Sequence, residues 1–282
     1  MFNFEKGHLL PKQYYMRIKL TLQLDSKPQL LPLNYKYPTS SWIYKILGAA
    51  DMVFTDMLHE HGYKTGGGKS FKLFTFSDFI VPNGKWEIVG DRMRIWADMV
   101  TLIIAFELPE QMQNFITGLF KAQNVVIGDE VSCISMRVKS VEVLNAELPV
   151  QDVYTLRWLS PIFVAKKVEG RKYPEYISPA NADYSKIFAK NLLDKYHARC
   201  LQEGVEPNPI SMDDIVFKSL HNKPKSVKQI IKAFKRGQTE IRAFKFNFEL
   251  KAPKEIVEIG LNAGFGAENA QGFGCCEAAV KY

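Results

Sequence analysis

The chain runs twice through one order of elements: strand, helix, strand, strand, helix, strand. That repetition limits the folds open to it. From Tyr15 to Leu24, Met16, Ile18, Leu20, Leu22 and Leu24 alternate with polar partners, the mark of a half-buried strand. A helix follows, with Thr39 or Ser40 as its cap and Trp42, Ile43, Ile46 and Leu47 on its apolar face. Gly48-Ala49-Ala50-Asp51 breaks it from a second helix whose apolar face carries Val53, Phe54, Met57 and Leu58. After the Gly66-Gly67-Gly68 loop come strands at Phe71–Ser77, 85–89 and 92–106, then a helix opened by Pro109 with Met112, Phe115, Ile116, Leu119 and Phe120 inward, and a strand over 131–144.

The second pass starts with a strand from Val153 to Lys166, kinked at Pro161, and a helix from Ala182 to Leu201. Strands over 226–235 and 239–250 meet at Arg236-Gly237-Gln238, and Pro253 opens a helix before a final strand. The order predicts an α+β protein of tandem ferredoxin-like (RRM-like) domains. The expected division is an N-terminal extension over 1–14, a first domain over 15–148 and a second over 149–282.

Between the last helix and the last strand lies Gly264-Phe265-Gly266-Ala267-Glu268-Asn269-Ala270-Gln271-Gly272-Phe273-Gly274. Gly264, Gly266, Gly272 and Gly274 mark a loop needing positive φ or close backbone approach. The dinucleotide fingerprint would need glycine where Asn269 stands, and no Gly-Lys-Ser/Thr follows as in a P-loop. Those exclusions weaken a nucleotide-binding enzyme.

Charge points elsewhere. From Lys218 to Lys245 the chain holds nine basic residues against one acid, Glu240, so the whole net charge of +7 resides in that stretch. Lys225, Lys228, Lys232, Lys235, Arg236, Arg242 and Lys245 lie on and around the expected second-domain hairpin, the pattern of a polyanion-binding surface. Four cysteines, Cys133, Cys200, Cys275 and Cys276, lack metal spacing, and His59-x-His61 on a helix would splay its rings, so neither a metal nor a cofactor is expected. No apolar run approaches a membrane span or a signal peptide, and the expected setting is the cytoplasm.

Several motifs in order carry a resemblance. Leu31-Pro32-Leu33-Asn34-Tyr35, Trp42-Ile43-Tyr44, Leu58-His59-Glu60, Phe71-Lys72-Leu73-Phe74-Thr75-Phe76-Ser77, Ser160-Pro161, Tyr176-Ile177-Ser178-Pro179, Asn191-Leu192 and the doubled Gly-Phe-Gly resemble the CRISPR-associated endoribonucleases that cut repeat RNA into guide RNAs, the Cas-six family of the RAMP superfamily. The resemblance implies metal-independent cleavage within the repeat, in which the substrate's 2′-hydroxyl attacks the adjacent phosphate to leave a 2′,3′-cyclic phosphate and a 5′-hydroxyl. It also implies a Tyr, His and Lys triad, matched here by Tyr44, His59 and Lys72. The implied partner is CRISPR repeat RNA, as precursor and as product guide RNA. Other effector subunits and a second copy of the chain are further candidate partners.

The chemistry suits those residue types. An imidazole exchanges protons near neutral pH, so His59 is the candidate base or acid. Lys72 would stabilise the charged phosphorane-like transition state, and Tyr44 would donate to or orient an oxygen. One continuous helix would hold Tyr44 and His59 about 22 Å apart, so the triad requires the chain to turn near Gly48–Asp51. Family members often carry a basic residue between the two Gly-Phe-Gly units, whereas this chain has Glu268 there, so a structural role is expected for the loop. The alternative is a non-catalytic RNA-binding subunit of a CRISPR effector complex, against which the intact triad speaks.

Overall fold

The computed structural model describes residues 17–65, 67–144, 147–170, 174–231 and 238–279, which leaves the expected extension over 1–14 outside. The first half comprises β1 (Arg17–Leu24), β2 (Gln29–Pro32), α1 (Lys36–Ala50), α2 (Met52–Glu60), β3 (Tyr63–Lys64), β4 (Ser70–Phe71), β5 (Phe74–Phe76), β6 (Trp86–Val89), β7 (Arg92–Ile95), β8 (Met99–Phe106), α3 (Pro109–Lys121), β9 (Asn124–Gly128) and β10 (Cys133–Val143). Its main sheet runs β5-β8-β1-β10-β9 with every neighbouring pair antiparallel. That is the ferredoxin-like strand order with β9 added at one edge. The alternation in β1 does what its pattern predicts: Ile18, Leu20 and Leu22 are buried, whereas Lys19, Thr21 and Gln23 lie on the opposite, more open face.

The second half holds β11 (Tyr154–Trp158), β12 (Ala165–Lys166), β13 (Glu175–Tyr176), α4 (Tyr184–Glu203), β14 (Val216–Ser219), β15 (Lys225–Ile231), β16 (Thr239–Lys245), β17 (Phe248–Lys251), α5 (Lys254–Ala263) and β18 (Cys276–Ala278). Its sheet runs β14-β17-β11-β18, the same ferredoxin-like order. Phe188 stacks on Phe265 at 5.9 Å and meets Phe217 at 4.9 Å, joining α4, β14 and the glycine-rich loop. One continuous apolar cluster extends through both halves.

Several expectations need correction. Helix α1 begins at Lys36, so Thr39 and Ser40 do not cap it; both are buried in its first turns. The expected strand at Phe71–Ser77 is broken at Leu73, whose φ of +52° turns the chain from the β3–β4 hairpin into the main sheet. The 92–106 strand divides into β7, in a small β2-β7-β6 sheet, and β8. Val53 is 82 % exposed and Phe120 78 %, because the arcs facing the core are narrower than the apolar pattern. Strands β2 and β9 carry too little alternation to stand out.

The basic hairpin is also placed differently. β15 and β16 form a separate two-stranded unit, and the main sheet draws its second and third strands from β14 and β17. The 239–250 stretch therefore contains two strands, and the turn residues Arg236 and Gly237 lie outside the described residues. Inward-facing Ile241 and Ala243 of β16 pack with Phe163 and Phe273, which seats the hairpin over the glycine-rich loop.

Candidate active site

Asp51 ends α1 and begins α2 in extended backbone, φ −149° and ψ 107°. Its carboxylate accepts from the Phe54 N–H at 2.9 Å, an N-cap that starts α2 in a new direction. The reversal brings Tyr44 and His59 together: their ring centroids are 5.0 Å apart, edge to face. At the far end of α2, Gly62 donates its N–H to Met57 O at 3.0 Å with φ +63°. A Cβ there would meet Phe71 O at 2.6 Å, so only glycine lets the β3–β4 hairpin fold this closely onto α2.

The hairpin delivers Lys72. Its Nζ donates to His59 O at 2.7 Å, and its own carbonyl accepts from Gln111 Nε2 at 2.7 Å. Gln111 is buried in the first turn of α3, so Lys72 is held between two helices. Leu73, next in sequence, takes the left-handed conformation at a cost of order 1–3 kcal/mol. Its side chain is buried, and Phe74 beyond it packs edge-on against Tyr44 at 5.6 Å.

Burial distinguishes the three side chains. Burial raises the Tyr44 phenol above its ordinary value, so it stays a donor at neutral pH. Burial lowers the Lys72 ammonium from its ordinary value. His59 is exposed at the rim, within reach of a ligand.

The glycine-rich loop closes the other side. Tyr44, His59, Lys72, Lys195, Glu268 and Gln271 are among the side chains lining a cleft of about 330 Å³. Gly264, Gly266, Gly272 and Gly274 all have positive φ. A Cβ at Gly274 would fall 1.9 Å from Phe265 O, and one at Gly272 would fall 2.4 Å from the Phe76 ring. The loop is a packed seam between the halves. Asn269 Nδ2 donates to Phe265 O and Phe273 O, Ser40 to Ala270 O, and Thr75 to Phe273 O.

Lys195, which also lines the cleft, is a residue the sequence did not single out. It is 1 % exposed on α4 and donates to Gly264 O and, at 2.7 Å, to Gly266 O. Burial holds its ammonium well below the ordinary value, with no carboxylate among the described residues to offset it. A lysine inside the apolar stripe Leu192, Leu193, Tyr196 was the available signal.

The candidate RNA-binding cations fall into separate groups. Lys225, Lys228 and Arg242 are exposed on the hairpin, Lys228 paired with Glu240 at 2.6 Å. Lys245 is not a free surface cation: it binds Asp78 at 2.8 Å and lies 4.6 Å from the Trp158 ring centroid. Lys36 binds the other Asp78 oxygen at 2.5 Å and Gly272 O at 2.7 Å. Burial pushes the Asp78 carboxyl up, but the two lysines outweigh it and hold it below the usual range. Lys232, Lys235 and Arg236 lie outside the described residues. A second groove of about 650 Å³ runs beside the hairpin, lined among others by Trp86, Ile88, Lys228 and Lys245. Ile230 anchors the hairpin there, its N–H donating to Asn34 Oδ1 at 3.0 Å. Among the described residues, no helix is long and apolar enough to cross a membrane.

Known proteins share this architecture. The family model described as CRISPR-associated protein Cas6, N-terminal, matches residues 30–139, and that described as CRISPR associated protein Cas6, C-terminal, matches residues 146–278. The CRISPR-associated endoribonuclease Cas6 1 of Methanocaldococcus jannaschii is 25 % identical over 263 residues, 92 % of this chain and 91 % of the relative. A putative CRISPR-associated endoribonuclease-like protein Cas6 of Pyrococcus furiosus is 26 % identical over 263 residues, 92 % of this chain and 97 % of the relative. Among solved structures, a Cas6-related gene product from Pyrococcus furiosus superposes with a TM-score of 0.76 at 25 % identity, covering 95 % of this chain and 100 % of the other. A RAMP protein described as binding different RNA substrates shares the fold at a TM-score of 0.75 and 22 % identity, covering 94 % of this chain and 100 % of the other. With both halves matched by their own model, the chain belongs to the Cas6 family.

Proposed function

We propose that this chain is an endoribonuclease that cuts CRISPR precursor RNA within its repeats without a metal ion. The observation that carries the reading is the convergence of Tyr44, His59 and Lys72, distant in sequence, on one cleft. The names of the relatives support the substrate class.

In this reading His59 accepts the proton of the substrate's 2′-hydroxyl as its oxygen bonds to phosphorus. The Lys72 ammonium faces the charge gathering on the phosphorane. Burial makes it the more acidic of the two donors, and it protonates the 5′-oxygen as the phosphorus–oxygen bond breaks. Tyr44 stays protonated and holds a phosphate oxygen in line. The products are a 2′,3′-cyclic phosphate and a 5′-hydroxyl. The exposed hairpin cations Lys225, Lys228 and Arg242 supply phosphate contacts that give affinity rather than sequence choice.

The test uses end-labelled repeat RNA with EDTA present, comparing wild type with His59→Ala. A single cut ending in a cyclic phosphate, lost in the variant while RNA binding persists, is the expected result. Wild-type protein that binds the RNA and never cuts it overturns the reading and leaves an RNA-holding subunit.

A further inference from the structure

Five residues between Gly264 and Gly274 have positive φ: four are glycines and the fifth is Glu268, at φ +55°. Glycine would relieve the backbone there at no steric cost, yet the chain places its longest acidic side chain at that point. Glu268 lines the same cleft as Tyr44, His59 and Lys72. It forms no ion pair with Lys72 or Lys195, and its carboxylate has no hydrogen-bond partner among the described residues. Gln271, lining the same cleft, holds its Oε1 buried and unpartnered. Glu268 is exposed on this wall, so its two carboxylate oxygens are open to whatever fills the cleft, whereas Gln271 Oε1 is buried out of a ligand's reach. Crowding by protein atoms also raises the Glu268 carboxyl above its usual value, so a carboxylate here gains from a ligand that donates hydrogen bonds.

A ribonucleic acid bound in the cleft presents phosphates, ribose hydroxyls and base edges. Phosphate is repelled by a carboxylate. Unpaired bases expose their Watson–Crick edges, and these differ in donors. Guanine sets N1–H beside its N2 amino group, two adjacent donors that match a carboxylate's two oxygens. Adenine and cytosine each set a ring acceptor beside their single amino donor, and uracil flanks one donor with two acceptors. We infer that Glu268 is a specificity-determining residue that reads the Watson–Crick edge of an unpaired guanine within two nucleotides of the cut. The inference rests on the endoribonuclease reading above.

The experiment pools repeat RNAs in which the two nucleotides on each side of the cut are randomised, and sequences the cleaved fraction for wild type, Glu268→Gln and Glu268→Gly. The glycine variant removes the carboxylate while easing the backbone, so it separates base reading from folding. Wild type is expected to favour guanine at one of the four positions by about tenfold to a hundredfold, the range of a good bidentate base contact. Both variants lose that preference while still cutting, and replacing that guanosine by inosine, which lacks the amino group, slows wild type alone. A wild-type profile without guanine preference, or one unchanged in both variants, overturns the assignment. An uncut wild-type pool instead overturns the endoribonuclease reading, and this inference with it.

Discussion

Glu107 directly follows β8 in the first half, and its Oε1 lies 3.4 Å from Arg199 Nη1 on α4 of the second, both side chains buried. Burial raises its carboxyl from 4.5 to about 7, Glu203 and Glu258 adding to the rise while Arg199 and Asn262 oppose it. The folded chain therefore keeps a proton there that the unfolded chain has released. That contribution to stability is fully present below pH 4.5 and is lost as pH rises through about 7. At about 1.4 kcal/mol per pH unit, a rise of roughly 2.5 units is worth about 3 kcal/mol. Glu107→Gln removes the titration and keeps the shape. Urea unfolding of wild type and variant at pH 4.5, 6, 7 and 8 would give their stability difference at each pH. The variant should gain on wild type by about 3 kcal/mol between the lowest pH and the highest. Taking the difference cancels Glu268 and every other group that does not interact with Glu107. A difference that stays constant across the range refutes the assignment of a raised carboxyl to Glu107.

Two further outcomes follow from the site. If the Lys72 ammonium acts in cleavage, the rate declines on the alkaline side as Lys72 loses its proton, at a pH below the ordinary lysine value of 10.5; single-turnover rates between pH 7 and 11 check this, and a decline centred at or above 10.5 removes Lys72 from the step. Gly274→Ala combines φ +74° with a Cβ 1.9 Å from Phe265 O and should cost at least about 2 kcal/mol, read as a lowered thermal midpoint; an unchanged midpoint contradicts the packed loop.

What the sequence determined by itself was local. Strict alternation fixes the buried face of β1, because side chains on a strand change sides at every residue. Pro109 and the apolar residues behind it fix α3 in the same way. Tyr44, His59 and Lys72 were named as candidates from motifs that keep their order along the chain. Short edge strands such as β2 and β9 were not legible, since four or five residues leave too few alternations. Nor was the division between the basic hairpin and β17, which turns on which sheet each strand can reach. The sequence placed the break near Gly48–Asp51, but only tertiary structure decided that Asp51 and Gly62 set α2 at the angle that brings a tyrosine and a histidine to 5.0 Å. Tertiary structure also decided that a lysine on α4 holds the loop from inside, that Lys245 is spent on Asp78, and that Glu268 faces the cleft unpartnered. Each of these depends on which groups from distant parts of the chain share one space. No local period encodes that, because the pairing partners lie tens to hundreds of residues away.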